Sequence, residues 1–177
     1  MTRGKVLLEN VNAYHLTAVI SKLEEAGCTI DVTGDTITIE MDSAPKPTDI
    51  TTATYPGFPT DSQAQWLAFM MLATGTSKIT DTIYHTRFHH VPELQRLGAK
   101  IEMAENTALV TGGAPLTGAT VMSADLRASA SLILAALVAE GRSEILRVYH
   151  LDRGYEAIEK KLNSLGASIQ RIKTEEF

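Results

Sequence analysis

Five charged side chains in this sequence stand where an anion can be gripped or a proton taken. Asp61 lies in "YPGFPTDSQAQ", and Asp125 and Arg127 lie in "ADLRASASLILA". Arg87 follows the Tyr-His pair of "YHTRFHH", and Arg153 follows that of "YHLDRGYE". A guanidinium is the side chain suited to a two-pronged grip on phosphate or carboxylate. A carboxylate can take a proton from a hydroxyl. Both acids sit at the mouths of strongly apolar segments, 61–75 and 127–141. A helix N-terminus offers unpaired N–H groups and partial positive charge, a natural place for an anion. Small residues at 128–131 would let a ligand approach the backbone there. The plainer alternative is that Thr60, Asp61 and Asp125 cap helices and that the arginines form surface ion pairs of little worth.

Other candidates carry less. His85, His89 and His90 include a four-residue spacing, but no cysteine accompanies them and a zinc site needs three or four convergent ligands, so no metal is expected. Cys28, the single cysteine, follows a glycine at a place held by Ala99 and Ala167 elsewhere, which suits a small core residue better than a nucleophile. There is no glycine-rich phosphate loop and no serine elbow.

The elements that must position these groups repeat along the chain. Three segments open at Gly4, Gly75 and Gly141 and close at Gly27, Gly98 and Gly166. Each reads as a glycine, a buried strand (Val6-Leu7-Leu8, Ile79, Ile145-Leu146), an amphipathic helix, a helix-ending glycine, and a strand opened by Ile30, Ile101 or Ile169. Leu16, Val19, Ile20 and Leu23 mark the apolar face of the first such helix, and Ala157, Ile158, Leu162 and Leu165 that of the third. Two copies continue into a hairpin, with Gly34-Asp35 and Glu105-Asn106 at the tips. Two copies are preceded by the all-apolar segments 61–75 and 127–141, which a helix can hold only if buried on every side.

The spacing thus predicts an α+β domain of strand, buried helix, strand, amphipathic helix, strand, strand. Residues 1–52 form a partial copy, 53–118 a complete one, and 119–177 a copy lacking its last strand. We expect a single incomplete domain that starts in the middle of a unit, with open sheet edges that invite self-association.

Composition narrows the class. The chain has 177 residues, 44% hydrophobic, and a net charge of −5 with no run of five like charges. No nucleic-acid or polybasic membrane partner is expected. The longest apolar run, 132–139, falls far short of the roughly 20 residues a spanning helix needs. One cysteine and no signal-like start suit a cytoplasmic protein.

The pieces "YPGFPTDSQAQ", "RFHHVPELQRLGA", "ADLRASASLILA" and "YHLDRGYE" together resemble the bacterial UDP-N-acetylglucosamine enolpyruvyl transferases over essentially the whole chain. The likeness is closer than to the sister 5-enolpyruvylshikimate-3-phosphate synthases. It implies an inside-out α/β barrel (prism) domain and the C-terminal part of a two-domain enzyme. It also implies transfer of enolpyruvyl from phosphoenolpyruvate to the 3′-hydroxyl of UDP-N-acetylglucosamine, with release of phosphate, the first committed step of peptidoglycan synthesis. No cofactor is implied.

By the same resemblance, Asp61 matches the acid at the sugar 3′-hydroxyl and is the candidate catalytic base. Ile83 matches a backbone contact to the sugar nucleotide, and Arg87 and Arg153 match arginines on the phosphoenolpyruvate side. Asp125, Leu126 and Arg127 match a conformationally responsive segment near that ligand. Thr86 stands where the family commonly has Asn. The family's loop cysteine, and the lysine and asparagine that help hold phosphoenolpyruvate, are expected in the missing N-terminal half, so the isolated chain is expected to be inactive. Two other readings remain: a binding module that kept the fold and lost the chemistry, and a shikimate-type enzyme.

Overall fold

The computed structural model describes residues 1–172. In chain order the elements are β1 (Gly4–Leu8), α1 (Thr17–Glu25), β2 (Thr29–Thr33), β3 (Thr36–Met41), β4 (Ile50–Thr51), α2 (Gln63–Met70), β5 (Thr76–Thr80) and α3 (Val91–Arg96). They are followed by β6 (Lys100–Ala104), β7 (Thr107–Thr111), β8 (Thr120–Met122), α4 (Leu126–Ala136), β9 (Glu144–Leu146) and α5 (Ile158–Ser164). Short 3-10 turns precede α1, α2 and α5.

The sheets display the repeat. One has the order β4-β5-β7-β6, with β4 parallel to β5 and the other pairs antiparallel. The sheet β1-β3-β2 reproduces its last three strands, and the parallel pair β8-β9 reproduces its first two. Within β5 and β7, Ser77, Ile79, Ala108 and Val110 are buried while Thr76, Lys78, Leu109 and Thr111 are exposed, the alternation of a sheet with one wet face. The helices α2 and α4 lie against each other behind these sheets. Their sequences have no polar stripe, and α2 buries Gln63, Ala64, Trp66, Leu67, Ala68, Phe69 and Met70. Trp66 meets Phe58 and Phe69 edge-on at 5.4 and 5.6 Å, and its indole N–H donates to the Thr48 carbonyl at 3.2 Å. This is the α+β architecture with central helices that the repeats predict.

Three expectations need correction. Val6, Leu7 and Leu8 do form a strand, but it is exposed, with Leu7 at 56%. Leu7 points to the wet face, whereas Val6, Leu8 and Val32 share the face of the buried Ile37 and are themselves only partly covered, at 36–45% exposure. Secondly, Ile169 opens no strand. Its counterparts in β2 and β6 pair with a return strand, whereas here the Asn163 carboxamide takes both groups, donating to the Ile169 carbonyl at 2.8 Å and accepting from its N–H at 2.9 Å. Residues 173–177, the end of the third copy, lie outside the described residues. Thirdly, the buried helices stop before Gly75 and Gly141: α2 ends at Met70 in tighter i→i+3 bonds from Leu72 to Phe69 and from Ala73 to Met70. Among the described residues no helix is long and apolar enough to cross a membrane.

Gly98 shows why a glycine closes each copy. Its φ is +99°, and a Cβ there would stand 2.8 Å from the Pro115 carbonyl oxygen. Gly98→Ala adds backbone strain and a backbone clash, so we expect a loss of about 2 kcal/mol and a fall in Tm of about 4–8 °C by calorimetry. Gly141→Ala, at φ +90° in open space, carries only the strain and should cost less. Equal losses would mean that the Pro115 contact yields freely.

Candidate active site

Packing α2 against α4 brings their N-terminal mouths together, and three charged groups meet there. Arg127, on the first turn of α4, reaches Asp61 with Nε at 2.9 Å and Nη2 at 2.7 Å, both on Oδ1. Arg87, from the loop between β5 and α3, places Nη1 3.0 Å from the same oxygen and 2.9 Å from Thr60 Oγ1. The Arg87 guanidinium also lies 4.5 Å from the centre of the Tyr84 ring. Asp61 Oδ2 accepts no hydrogen bond among the described residues, and the Asp61 side chain is 61% exposed. One oxygen is therefore held by two cations while the other faces solvent.

The capping alternative holds for Asp125 and fails for Asp61. Asp125 Oδ1 accepts from Arg127 N at 2.7 Å and from Ala128 N at 3.0 Å. Its backbone carbonyl takes the Ser129 hydroxyl at 2.6 Å. The mouth of α4 therefore spends its N–H groups internally, and Ala128–Ser131 are buried, so an anion at this mouth meets guanidinium groups and not the helix backbone. Neither Thr60 nor Asp61 caps α2, whose N-terminus has no side-chain cap.

Two candidates join less directly. Arg153 is exposed and has no hydrogen-bond or ion-pair partner among the described residues. It is tied to the site through its neighbour: a Cβ on Gly154 would lie 2.9 Å from Leu126 Cδ2, so this turn is pressed onto the residue beside Arg127. Ile83 is 44% exposed, and its N–H donates to Asp81 Oδ1 at 2.9 Å. Its carbonyl accepts no hydrogen bond among the described residues.

Asp81 escaped the sequence reading. It is fully buried and accepts from Thr60 Oγ1 at 2.6 Å, Thr52 Oγ1 at 2.7 Å, Tyr84 N at 2.8 Å and Ile83 N at 2.9 Å. Burial works against its ionisation, but the four donors outweigh it and hold the carboxyl below its ordinary value. The available signal was its place six residues past the opening glycine, where the other copies carry Asn10 and Arg147.

The histidines do not gather. His85 contacts the Thr82 carbonyl at 3.2 Å, whereas His90 is buried and stacks on Phe88 at 6.1 Å. Among the described residues no three His, Cys, Asp or Glu side chains group as a metal site requires. Cys28 is packed against Met41, and burial pushes its thiol up, against the pull of the Met1 ammonium.

His90 gives a pH dependence. Burial lowers its pKa from 6.5 to about 4; the Asp125 charge resists the shift, and His89 adds to it. The unfolded chain binds the proton first, so stability from this group is full above about pH 6.5 and is lost as pH falls toward about 4. We expect about 3 kcal/mol to disappear across that window in urea melts, and His90→Phe to flatten it. An unchanged slope in the variant would refute this.

Residues 1–162 match the family described as EPSP synthase (3-phosphoshikimate 1-carboxyvinyltransferase). The chain belongs to this family. It is 57% identical over 177 residues to a UDP-N-acetylglucosamine 1-carboxyvinyltransferase of Chlorobium chlorochromatii (strain CaD3), covering 100% of this chain and 42% of that protein. To the enzyme of the same name from Sorangium cellulosum (strain So ce56) it is 55% identical over 171 residues, 96% of this chain and 40% of the other. The enolpyruvyl transferase NikO from Streptomyces tendae superimposes with a TM-score of 0.81 at 32% identity, over 88% of this chain and 36% of that one. EPSP synthase from Acinetobacter baumannii shares the fold at 18% identity and a TM-score of 0.71, over 98% of this chain and 40% of that one. This member of the EPSP synthase family thus spans about two fifths of the length of the curated relatives it matches.

Proposed function

We propose that this chain supplies one wall of an enolpyruvyl transfer site. There the enolpyruvyl group of phosphoenolpyruvate passes to the 3′-hydroxyl of UDP-N-acetylglucosamine and phosphate leaves, in the cytoplasm, at the start of peptidoglycan synthesis. The observation that carries the reading is Asp61 with Oδ1 held by Arg87 and Arg127 and Oδ2 open. The names of relatives at 53–57% identity favour the sugar nucleotide over shikimate 3-phosphate as acceptor.

The chemistry asks for a base, an acid and a grip on two anionic groups. Asp61 Oδ2 takes the proton from the 3′-hydroxyl as that oxygen adds to C2 of phosphoenolpyruvate, while a proton is delivered to the methylene carbon. The tetrahedral adduct then loses phosphate, and a methyl proton departs to restore the double bond. Arg87 and Arg127, now neutralised by Asp61, turn toward the incoming phosphate or carboxylate and leave the carboxylate less encumbered for its proton. Arg153 adds a third guanidinium from the turn pressed on Leu126, and Asp125 keeps Arg127 in place by capping α4. The Ile83 carbonyl offers the sugar nucleotide an acceptor.

The remainder of the enzyme closes this wall from the other side and carries the acid. We expect phosphate release from phosphoenolpyruvate and UDP-N-acetylglucosamine when the chain is combined with the complementary segment of a close relative. Shikimate 3-phosphate should give none; turnover with it and not with the sugar nucleotide would overturn the acceptor assignment. Tight calorimetric binding of the sugar nucleotide to the chain alone, with no turnover in the complemented form, would favour the binding-module reading. Without the remainder, the face bearing Val6, Leu8 and Val32 is expected to drive self-association. Sedimentation equilibrium should detect this, and Val6→Lys with Val32→Lys should suppress it; a monomer at all concentrations would contradict it.

A further inference from the structure

We propose that Asp81 is a positioning residue that aims Arg87 at Asp61. The consequence for turnover rests on the transfer reading above, but the positioning itself does not.

The Thr60 hydroxyl has one hydrogen, and it is committed to Asp81 Oδ2 at 2.6 Å. The lone pairs of Thr60 Oγ1 must then serve as acceptor, and Arg87 Nη1 donates to them at 2.9 Å. That same Nη1 reaches Asp61 Oδ1 at 3.0 Å. A directed chain results: Arg87 to Thr60, Thr60 to Asp81, with Asp81 as its fixed anionic end. The other oxygen of Asp81 binds the N–H groups of Ile83 and Tyr84, which sets the loop whose Tyr84 ring underlies the Arg87 guanidinium at 4.5 Å. Both supports of Arg87, the hydroxyl acceptor and the aromatic platform, therefore trace back to one buried carboxylate.

Placement makes this more than local tidiness. Thr52 and Asp81 are both fully buried, so the anchor is shielded from water and from salt. Thr60 is half-buried and Arg87 is largely buried, at 16% side-chain exposure, whereas Asp61 is open. The chain runs from a dry anchor to a wet working end. An amide at position 81 keeps the shape but presents an NH2 where Thr60 now donates, or else loses the charge that fixes the direction of the donor.

The test uses the 177-residue chain without substrate. Rotation of each guanidinium about Cζ–Nε is followed by NMR of labelled arginine, for wild type, Asp81→Asn, Thr60→Val, Thr60→Ser and the Asp81→Asn/Thr60→Val pair. We expect Arg87 to rotate about tenfold faster in either single variant. The pair should be no faster than the quicker single, because both act through one chain. Thr60→Ser keeps the hydroxyl and should match wild type, and Arg127 should respond less than Arg87. A merely structural Asp81 would lower Tm in Asp81→Asn and leave Arg87 rotation there at the wild-type rate; that outcome, or additive effects in the pair, overturns the proposal. Should Asp81→Asn fail to fold, wild type decides it: the Thr60 hydroxyl proton should show a coupling across its hydrogen bond to the Asp81 carboxyl carbon, and a hydroxyl directed to any other acceptor overturns the proposal. In the complemented enzyme Asp81→Asn should lower kcat. Absence of turnover in wild type as well would refute the transfer reading, leaving the guanidinium result to judge Asp81.

Discussion

Replacing Asp61 with Asn in the complemented enzyme is expected to lower kcat by about 10²–10⁴, the usual worth of a positioned general base. The KM for phosphoenolpyruvate should stay level or fall. Asn keeps an oxygen for Arg87 and Arg127 but removes the charge that competes with an incoming anion for both guanidiniums. The side chain is 61% exposed and caps nothing, so the melting temperature should hardly move. This split separates two roles that one carboxylate can play. If Asp61 serves only to neutralise the arginines, kcat survives while anion binding changes. If it is the base, kcat collapses while binding holds. Steady-state kinetics with phosphate release as the signal distinguishes them.

Arg127→Ala is the second large effect. Arg127 contacts Asp61 through both Nε and Nη2, a geometry that an ammonium cannot reproduce. Loss of one preorganised donor to charge that develops in the transition state costs about 10²–10³ in rate. Arg127→Lys should recover little of it. The ion pair itself is partly exposed and contributes at most about 1 kcal/mol to folding, so stability should not explain the loss. Activity within about threefold of wild type in Arg127→Ala would remove this guanidinium from the site, since a preorganised donor is worth far more.

What could be read from the residues alone, and what could not, follows from the range of the forces involved. Gly27, Gly98 and Gly166 announce helix ends because a positive φ is a local demand, and each does adopt it. The all-apolar segments announce buried helices because no arrangement with a wet face suits them. The meeting of Asp61 with Arg127 is different. They are 66 residues apart in sequence, and only the packing of α2 on α4 joins them. The resemblance put Asp61 at the sugar hydroxyl and Arg127 near phosphoenolpyruvate, yet nothing in the spacing said that they touch.

Asp81 was missed for a related reason. An acid at a strand end reads as a turn residue, and its four donors come from Thr52, Thr60, Ile83 and Tyr84, two of them distant in sequence. Exposure of β1 and the lack of a strand at Ile169 lay beyond reach because both depend on what covers or pairs with those segments. The helix mouth at Asp125 looked like an anion site from composition, but the side chain that made it look charged is the one that consumes its N–H groups.

The most direct test is to determine the structure of the complemented enzyme with UDP-N-acetylglucosamine bound. The sugar 3′-oxygen should lie about 2.6–3.2 Å from Asp61 Oδ2, on the side of the carboxylate that Arg87 and Arg127 leave open. A sugar nucleotide seated with its 3′-oxygen facing some other acid, and Asp61 still locked to both arginines, would contradict the account.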